Sequence, residues 1–266
     1  MPEGPEVRTF VDDLNRIVAD RKIESIKVLG GRYAKKPLEG YDDIVGQLPL
    51  RVLEVNCKGK FIYWKLENEW SLWNSLAMTG RWGPEREKHS CLEMIVSGTP
   101  VYFSDPRHFG SVQFVHSDAQ LQKKLDSLGP DMLNNPPTDH DFLRLVRNDS
   151  RHLATALMDQ SFISGVGNYI KSEALYRARL SPWRLTNSLN FGEARCLYYA
   201  IRNIMKHSYE AGGASIATYK TFSGKVGTYS SQFAVYGKVT DPQGNLITRE
   251  TTPDKRTSWW SPGMQK

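Results

Sequence analysis

From Glu6 onward, Val7, Phe10, Val11, Leu14 and Val18 recur at three- and four-residue spacing with charged residues between them. On a helix that spacing gathers the apolar positions into one stripe, so a helix is predicted almost from the start of the chain. Pro5 fits its first turn, where a missing N–H leaves no bond unmade. The period then changes. Residues 23–29, 51–57, 61–66, 70–76, 92–97, 101–104 and 111–116 form short runs, several alternating apolar with polar, separated by Gly, Pro, Asn and Asp. These predict the strands of a sandwich or barrel. Beyond Ala119 the helical period returns, first in Leu121, Leu125 and Leu128, then in Phe142 and Leu145, then in Leu153, Ala156 and Leu157. Two longer helices are predicted at about 168–178 and 191–211.

Gly129-Pro130 and Asn134-Asn135-Pro136-Pro137 are rich in turn formers and poor in apolar residues, as a linker is. The expected organisation is therefore α+β with two domains, 1–130 and 131–266. The first is a β-sandwich with a leading helix, and the second is helical and ends in a β-hairpin over 229–266. In that hairpin Phe233, Val235 and Tyr236 are expected on one arm, Asp241-Pro242-Gln243-Gly244 in the turn, and Thr257-Ser258-Trp259-Trp260 on the returning arm.

At 266 residues the chain has room for two modest cores. Hydrophobic residues make up 39%, charged residues 24%, and no apolar run approaches the roughly 18 residues of a membrane span, which points to a soluble globular protein. Cys57, Cys91 and Cys196 are scattered with no CxxC pair, so they read as reduced thiols and not as a compact zinc site. The opening MPEGPEVRTF has neither the apolar stretch of a secretory signal nor the composition of an organelle presequence. The expected location is wherever the genome is, cytoplasm and nucleoid or nucleus, and not outside the cell. A net charge of +6 favours a polyanionic partner. Towards the end of the chain, Lys220, Lys225, Lys238, Arg249, Lys255, Arg256 and Lys266 face only Asp241, Glu250 and Asp254, an excess that suits a phosphate backbone and equally a solvated surface.

The start of the chain carries the sharpest chemistry. Removal of Met1 ahead of a small residue leaves Pro2 with a free secondary amine, part of which is unprotonated and nucleophilic at neutral pH. Attack of a secondary amine on a sugar C1′ gives an iminium ion, an electron sink that makes the C2′ proton acidic and lets the 3′ phosphate leave. Glu3 is placed to protonate the opening sugar or the departing base, burial being what keeps such a carboxyl protonated. Taken alone, the hexapeptide also reads as a helix start with acids near its positive end.

Met1-Pro2-Glu3-Gly4-Pro5-Glu6-Val7 resembles the opening of the formamidopyrimidine-DNA glycosylase/endonuclease VIII family, and further motifs similar to that family follow in order over nearly the whole chain. Lys58-Gly59-Lys60-Phe61 is similar to the segment holding the family's lysine, with Lys60 the matching position at the start of a strand. Met78, in Leu76-Ala77-Met78-Thr79-Gly80, and Arg107 and Phe109, in Ser104-Asp105-Pro106-Arg107-His108-Phe109-Gly110, look like the three residues that fill the void left by an everted nucleotide. By themselves Met78 and Phe109 read as core residues. Ser164-Gly165-Val166-Gly167-Asn168-Tyr169-Ile170-Lys171-Ser172-Glu173, preceded by Leu157-Met158-Asp159-Gln160, resembles the helix–two-turn–helix signature. There the glycines let backbone N–H groups approach a phosphate at a helix N-terminus and Asn168 adds a donor. His89 and Arg256 match DNA-contacting positions, Arg256 being the finger arginine that supports the second elimination. Arg151 stands where bacterial relatives carry a basic DNA-contacting segment.

The resemblance implies a bifunctional DNA glycosylase/AP lyase of base excision repair, a monomer that needs no cofactor and acts on double-stranded DNA containing oxidised bases or abasic sites. Its catalytic residues would be Pro2, Glu3, Lys60 and Arg256, and its DNA contacts Met78, His89, Arg107, Phe109, Asn168 and Arg151. In many relatives the terminal hairpin is a four-cysteine zinc finger. Here Asp241-Pro242-Gln243-Gly244 and Trp260-Ser261-Pro262-Gly263-Met264-Gln265-Lys266 stand at those places, so a zincless finger is expected, packed by Tyr236, Trp259 and Trp260. The opening favours oxidised pyrimidines as substrates, whereas Gly212-Gly213-Ala214-Ser215-Ile216 resembles a loop that caps formamidopyrimidine lesions. A non-catalytic damage-binding protein of the same fold and an RNA-associated basic protein are the rival readings.

Overall fold

The structure, a computed structural model, describes residues 2–214, 222 and 226–266. Two compact units emerge. The first contains Pro2, Glu6–Asp126 and, from the segment Ser215–Gly227, the described Phe222, Val226 and Gly227; the second contains Glu3–Pro5, Ser127–Ala214 and Thr228–Lys266. Lys220, Lys225, Ser215 and Ile216 lie outside the described residues.

Helix α1 (Gly4–Val18) starts three residues before Val7, the first position of its apolar stripe. Val7, Phe10, Val11, Leu14 and Val18 are each no more than 1% exposed, as the spacing requires. The first unit continues with β1 (Lys22–Val28), the short helix α2 (Tyr41–Val45), β2 (Leu50–Lys58), β3 (Phe61–Leu66), β4 (Trp70–Ser75), β5 (Arg81–Gly83), β6 (Ser90–Val96), β7 (Thr99–Ser104), β8 (Ser111–His116) and α3 (Asp118–Asp126). The strands run antiparallel in the order β5-β7-β6-β1-β2-β3-β4-β8. Trp64 on β3 and Trp82 on β5 lie five strand spacings apart in that order, about 24 Å in a flat sheet. Their rings are nevertheless 5.3 Å apart, and the Trp82 indole donates to Asn74 Oδ1 on β4 at 3.2 Å. The sheet therefore folds over on itself into two layers, hinged at the β1–β2 ladder, whose register spans only Lys22↔Arg51 and Ile23↔Leu50. The three-residue β5 and five-residue α2 are too short for either period to mark them.

The second unit is built on α4 (Asp139–Arg147), α5 (Leu153–Met158), α6 (Asn168–Arg177) and α7 (Phe191–Glu210). Thr138 caps α4 by accepting from Asp141 N, and Asn190 with Glu193 forms a reciprocal capping box at α7. Helix α6 is buried on every side over its first seven positions after Asn168, including Lys171 and Glu173, which explains why its sequence shows little amphipathic pattern.

The terminal hairpin corrects the expectation. Its arms are β9 (Thr248–Thr251) and β10 (Thr257–Trp260), paired Thr251↔Thr257 to Thr248↔Trp260. The tight turn is 252–256, with Lys255 in the left-handed region at φ 59°. Asp241–Gly244 makes a separate turn closed by Gly244 N–H to the Asp241 carbonyl, and Phe233, Val235 and Tyr236 lie outside any strand. The reason is side-chain chemistry: Glu173 accepts backbone N–H groups of Ala234, Val235 and Tyr236 at 2.8–2.9 Å, so donors that a strand would spend on a ladder go to a buried carboxylate.

Candidate active site

Pro2 and Glu3 are both buried, Glu3 at 3% exposure. Within the second unit the Glu3 carboxylate sits at the N-terminus of α6, accepting from Tyr169 N–H at 2.9 Å and Ile170 N–H at 3.2 Å. The first N–H groups of a helix have no partner inside it and carry its positive end, so an anion is the natural occupant. This corrects one expectation from the Gly-Val-Gly-Asn motif: these two donors serve Glu3, not a phosphate. The glycines explain the fit. A Cβ on Gly167 would lie 2.2 Å from Glu3 Cδ, and Gly165, at φ +90°, accepts from Gly4 N–H at 2.8 Å. Gln160 braces the turn from inside, its amide donating to the Met158 and Val166 carbonyls while its oxygen accepts from Gly165 N–H.

In the first unit Lys60 is half-buried in the two-residue turn between β2 and β3, behind Gly59 at φ 59°, and so immediately precedes the strand. Its neighbour Lys58 donates to the Leu125 carbonyl in the last turn of α3 at 2.8 Å, a capping role that separates the two lysines.

Met78, Arg107 and Phe109 come together in the same unit. The Arg107 guanidinium carbon lies 4.8 Å from the Phe109 ring centroid and its Nη1 3.3 Å from Met78 Sδ. Met78 is 42% and Phe109 57% exposed, so neither is the core residue that its type alone suggests. Asp105, buried beneath them, ties the two loops together. It accepts from Thr79 Oγ1, next to Met78, and from the N–H groups of Arg107 and Gly110. Arg32 holds the far end through the Gly110 carbonyl at 2.7 Å. His89 is exposed, in the loop before β6.

In the second unit Arg256 is exposed at the end of the β9–β10 turn. Asn168 donates its amide to the Thr257 carbonyl at 2.8 Å, so the donor expected to face DNA is engaged with the hairpin. Arg151 is held by Asp149 and Asp159, at 2.7 Å from the latter, and these hydrogen bonds raise its already high pKa. Tyr236 packs on Trp259 at 4.5 Å between ring centroids, and Glu250 accepts from the indoles of Trp260 and Trp183. Buried Asp241 accepts from Gln243 N–H, Asn245 N–H and side-chain amide, and the Ser261 hydroxyl at 2.9 Å. A lone carboxylate so fully hydrogen-bonded does not suit zinc, and among the described residues no group of three His, Cys, Asp or Glu side chains is placed to hold a metal.

Asp105, Lys171, Glu173 and Asp241 escaped the reading of the sequence. All four lie inside segments singled out for other reasons, and the one available signal was a charged residue in an otherwise apolar or turn-forming stretch.

Residues 1–112 match the family described as the formamidopyrimidine-DNA glycosylase N-terminal domain, and residues 128–220 the formamidopyrimidine-DNA glycosylase H2TH domain. The formamidopyrimidine-DNA glycosylase of Thermus thermophilus is 35% identical over 243 residues, covering 90% of this chain and 88% of that protein. The crystal structure of the MutM (Fpg) protein from the same species superposes with a TM-score of 0.88 at 31% identity, over 99% of this chain and 98% of that one. A Lactococcus lactis Fpg variant in complex with DNA containing Fapy-dG gives 0.89 at 25% identity, with the whole of both chains covered.

Proposed function

Because the chain belongs to the formamidopyrimidine-DNA glycosylase family, we propose that it excises oxidised bases from duplex DNA through a Pro2 Schiff base and then cuts the strand by β,δ-elimination. The observation that carries this reading is the fixing of Glu3, the residue bonded to Pro2, on the first turn of α6 by two N–H groups, with Gly167 leaving room for it alone.

With Met1 removed, the Pro2 nitrogen lone pair attacks C1′ of an everted nucleotide. The N-glycosidic bond breaks, and the base leaves with its electron pair and takes up a proton. Ring opening breaks the C1′–O4′ bond: the Glu3 carboxylate takes the proton that the Pro2 nitrogen sheds and passes it to O4′, and C1′ is left as an iminium ion. Loss of the C2′ proton to solvent sends that electron pair towards the iminium and expels the 3′ phosphate. A second proton loss expels the 5′ phosphate, and hydrolysis returns Pro2, leaving a one-nucleotide gap. Lys60 and Arg256 assist the second elimination by holding the lesion-flanking phosphates. Met78 and Phe109 fill the vacated stack while Arg107 faces the orphaned base. Asn168, His89 and Arg151 contribute backbone contacts, Arg151 only through whatever part of its fork Asp149 and Asp159 leave open. The finger works without zinc, on Asp241 and the Tyr236–Trp259 stack.

The MPEGPE opening supports oxidised pyrimidines as the preferred lesions, and the formamidopyrimidine relatives support acceptance of those bases too. A panel of duplexes carrying one oxidised pyrimidine, one oxidised purine or one formamidopyrimidine tests this. The expected result is a gapped product bearing phosphate at both ends, formed fastest on the pyrimidine. Faster cleavage of the purine duplex would reverse the preference, and tight binding without any product would leave a damage-binding protein.

A further inference from the structure

Lys171 is fully buried, at 0% exposure, and its ammonium lies 2.7 Å from Asp254, whose side chain is 4% exposed. A lysine with no exposure is rare because removing an ammonium from water costs several kcal/mol even after relaxation. Burial indeed pulls its pKa down, and Asp254, with a smaller contribution from Glu3, opposes that pull. A methionine of similar length would fill the same space without this cost, so packing alone does not account for the residue.

The geometry gives it a task. Asp254 Oδ2 takes the Lys171 ammonium, while Oδ1 accepts from Thr252 Oγ1 and from the backbone N–H of Arg256 at 3.4 Å. The Arg256 carbonyl in turn accepts from Thr252 N–H at 3.0 Å. One turn earlier on α6, Asn168 holds the Thr257 carbonyl. Helix α6 thus grips the hairpin on both sides of Arg256, and the first N–H groups of the same helix hold Glu3. We propose that the Lys171–Asp254 pair is a positioning device that fixes the Arg256 backbone in register with Glu3, and so sets how far the reaction proceeds from β- to δ-elimination. The proposal rests on the Schiff-base reading above. A charge pair suits the task because it is satisfied in one geometry only, whereas two apolar side chains of similar volume slide with little penalty.

The test is the ratio of δ- to β-elimination products on a duplex with a single abasic site, measured beside the yield of borohydride-trapped adduct and the melting temperature. Lys171→Met and Asp254→Asn are each expected to lower the ratio about tenfold or more, since small misplacements of a catalytic group cost that much. Lys171→Arg, which keeps the charge, should stay within about threefold of the parent. The double variant Lys171→Met with Asp254→Leu should recover melting temperature, because a buried pair replaced by apolar residues is commonly neutral or stabilising, without recovering the ratio. If Lys171→Met does not fold by circular dichroism, Lys171→Arg and the double variant still decide. A ratio unchanged in the folded single variants, or one that recovers together with melting temperature in the double, overturns the positioning role. Absence of any trapped adduct in the parent protein would instead sink the Schiff-base reading on which it stands.

Discussion

Gly167 has an ordinary extended backbone, φ −130°, so its lack of a side chain answers to crowding and not to conformation. Gly167→Ala should displace the Glu3 carboxyl from α6 and lower base excision by about 10²-fold or more, the range in which a positioned proton donor operates. Single-turnover excision checks this, and a rate within threefold of the parent would show that Glu3 tolerates the shift. Met78 and Phe109 pose the opposite case, because both are exposed and little folding energy is at stake. Met78→Ala with Phe109→Ala should leave the melting temperature within about 2 °C, surface changes being worth roughly 0.5 kcal/mol or less, while lesion processing falls. A large loss of stability would return them to the packing role their residue types suggest. At this scale the sequence offers motifs that single out residues by resemblance, but it marks none of the side chains that support them. Asp105 organises the Met78 and Arg107 loops through hydrogen bonds across 26 positions of chain, a relation no local pattern displays.

Elements with a sustained period were read well, and those decided by single side chains were not. The stripe of α1 and the alternation of the strands follow directly from burial on one face. The arms of the terminal hairpin were misassigned because Tyr236 and its neighbours look like a strand, while Glu173, distant in sequence, takes their N–H groups. The Arg151 cluster, which joins the segment before α5 to the turn after it, gives a pH-dependent consequence. Burial raises the pKa of Asp149 and Asp159, but hydrogen bonds from Arg151 outweigh it, and both end below the usual carboxylate value. Carboxylates depressed in the folded state add stability that is complete above the unfolded pKa, about 4, and is lost as pH falls through the lowered folded values. Melting curves of the parent and Arg151→Met should therefore differ at pH 7 and converge as pH drops below about 4. A constant difference down to pH 3 would mean that Arg151 stabilises by packing on Phe162 instead.

Over the whole molecule, the division into a unit of strands and a unit of helices was foreshadowed by the change of hydrophobic period near Ala119. Less legible was the division of labour along the first residues, where Pro2 belongs to the first unit and Glu3–Pro5 to the second, because contacts to α6 close only in three dimensions. None of the 29 acidic residues is marked by sequence alone as the one that must sit on a helix N-terminus. The proposed chemistry turns on the amine next to that carboxyl. The decisive measurement is borohydride trapping of the Met1-processed protein on duplexes bearing an oxidised base or an abasic site, with an N-acetylated Pro2 control and peptide mapping of the adduct. A covalent adduct on Pro2 that disappears on acetylation is the predicted result. An adduct that survives acetylation, or none at all despite tight binding, would contradict Pro2 as the nucleophile.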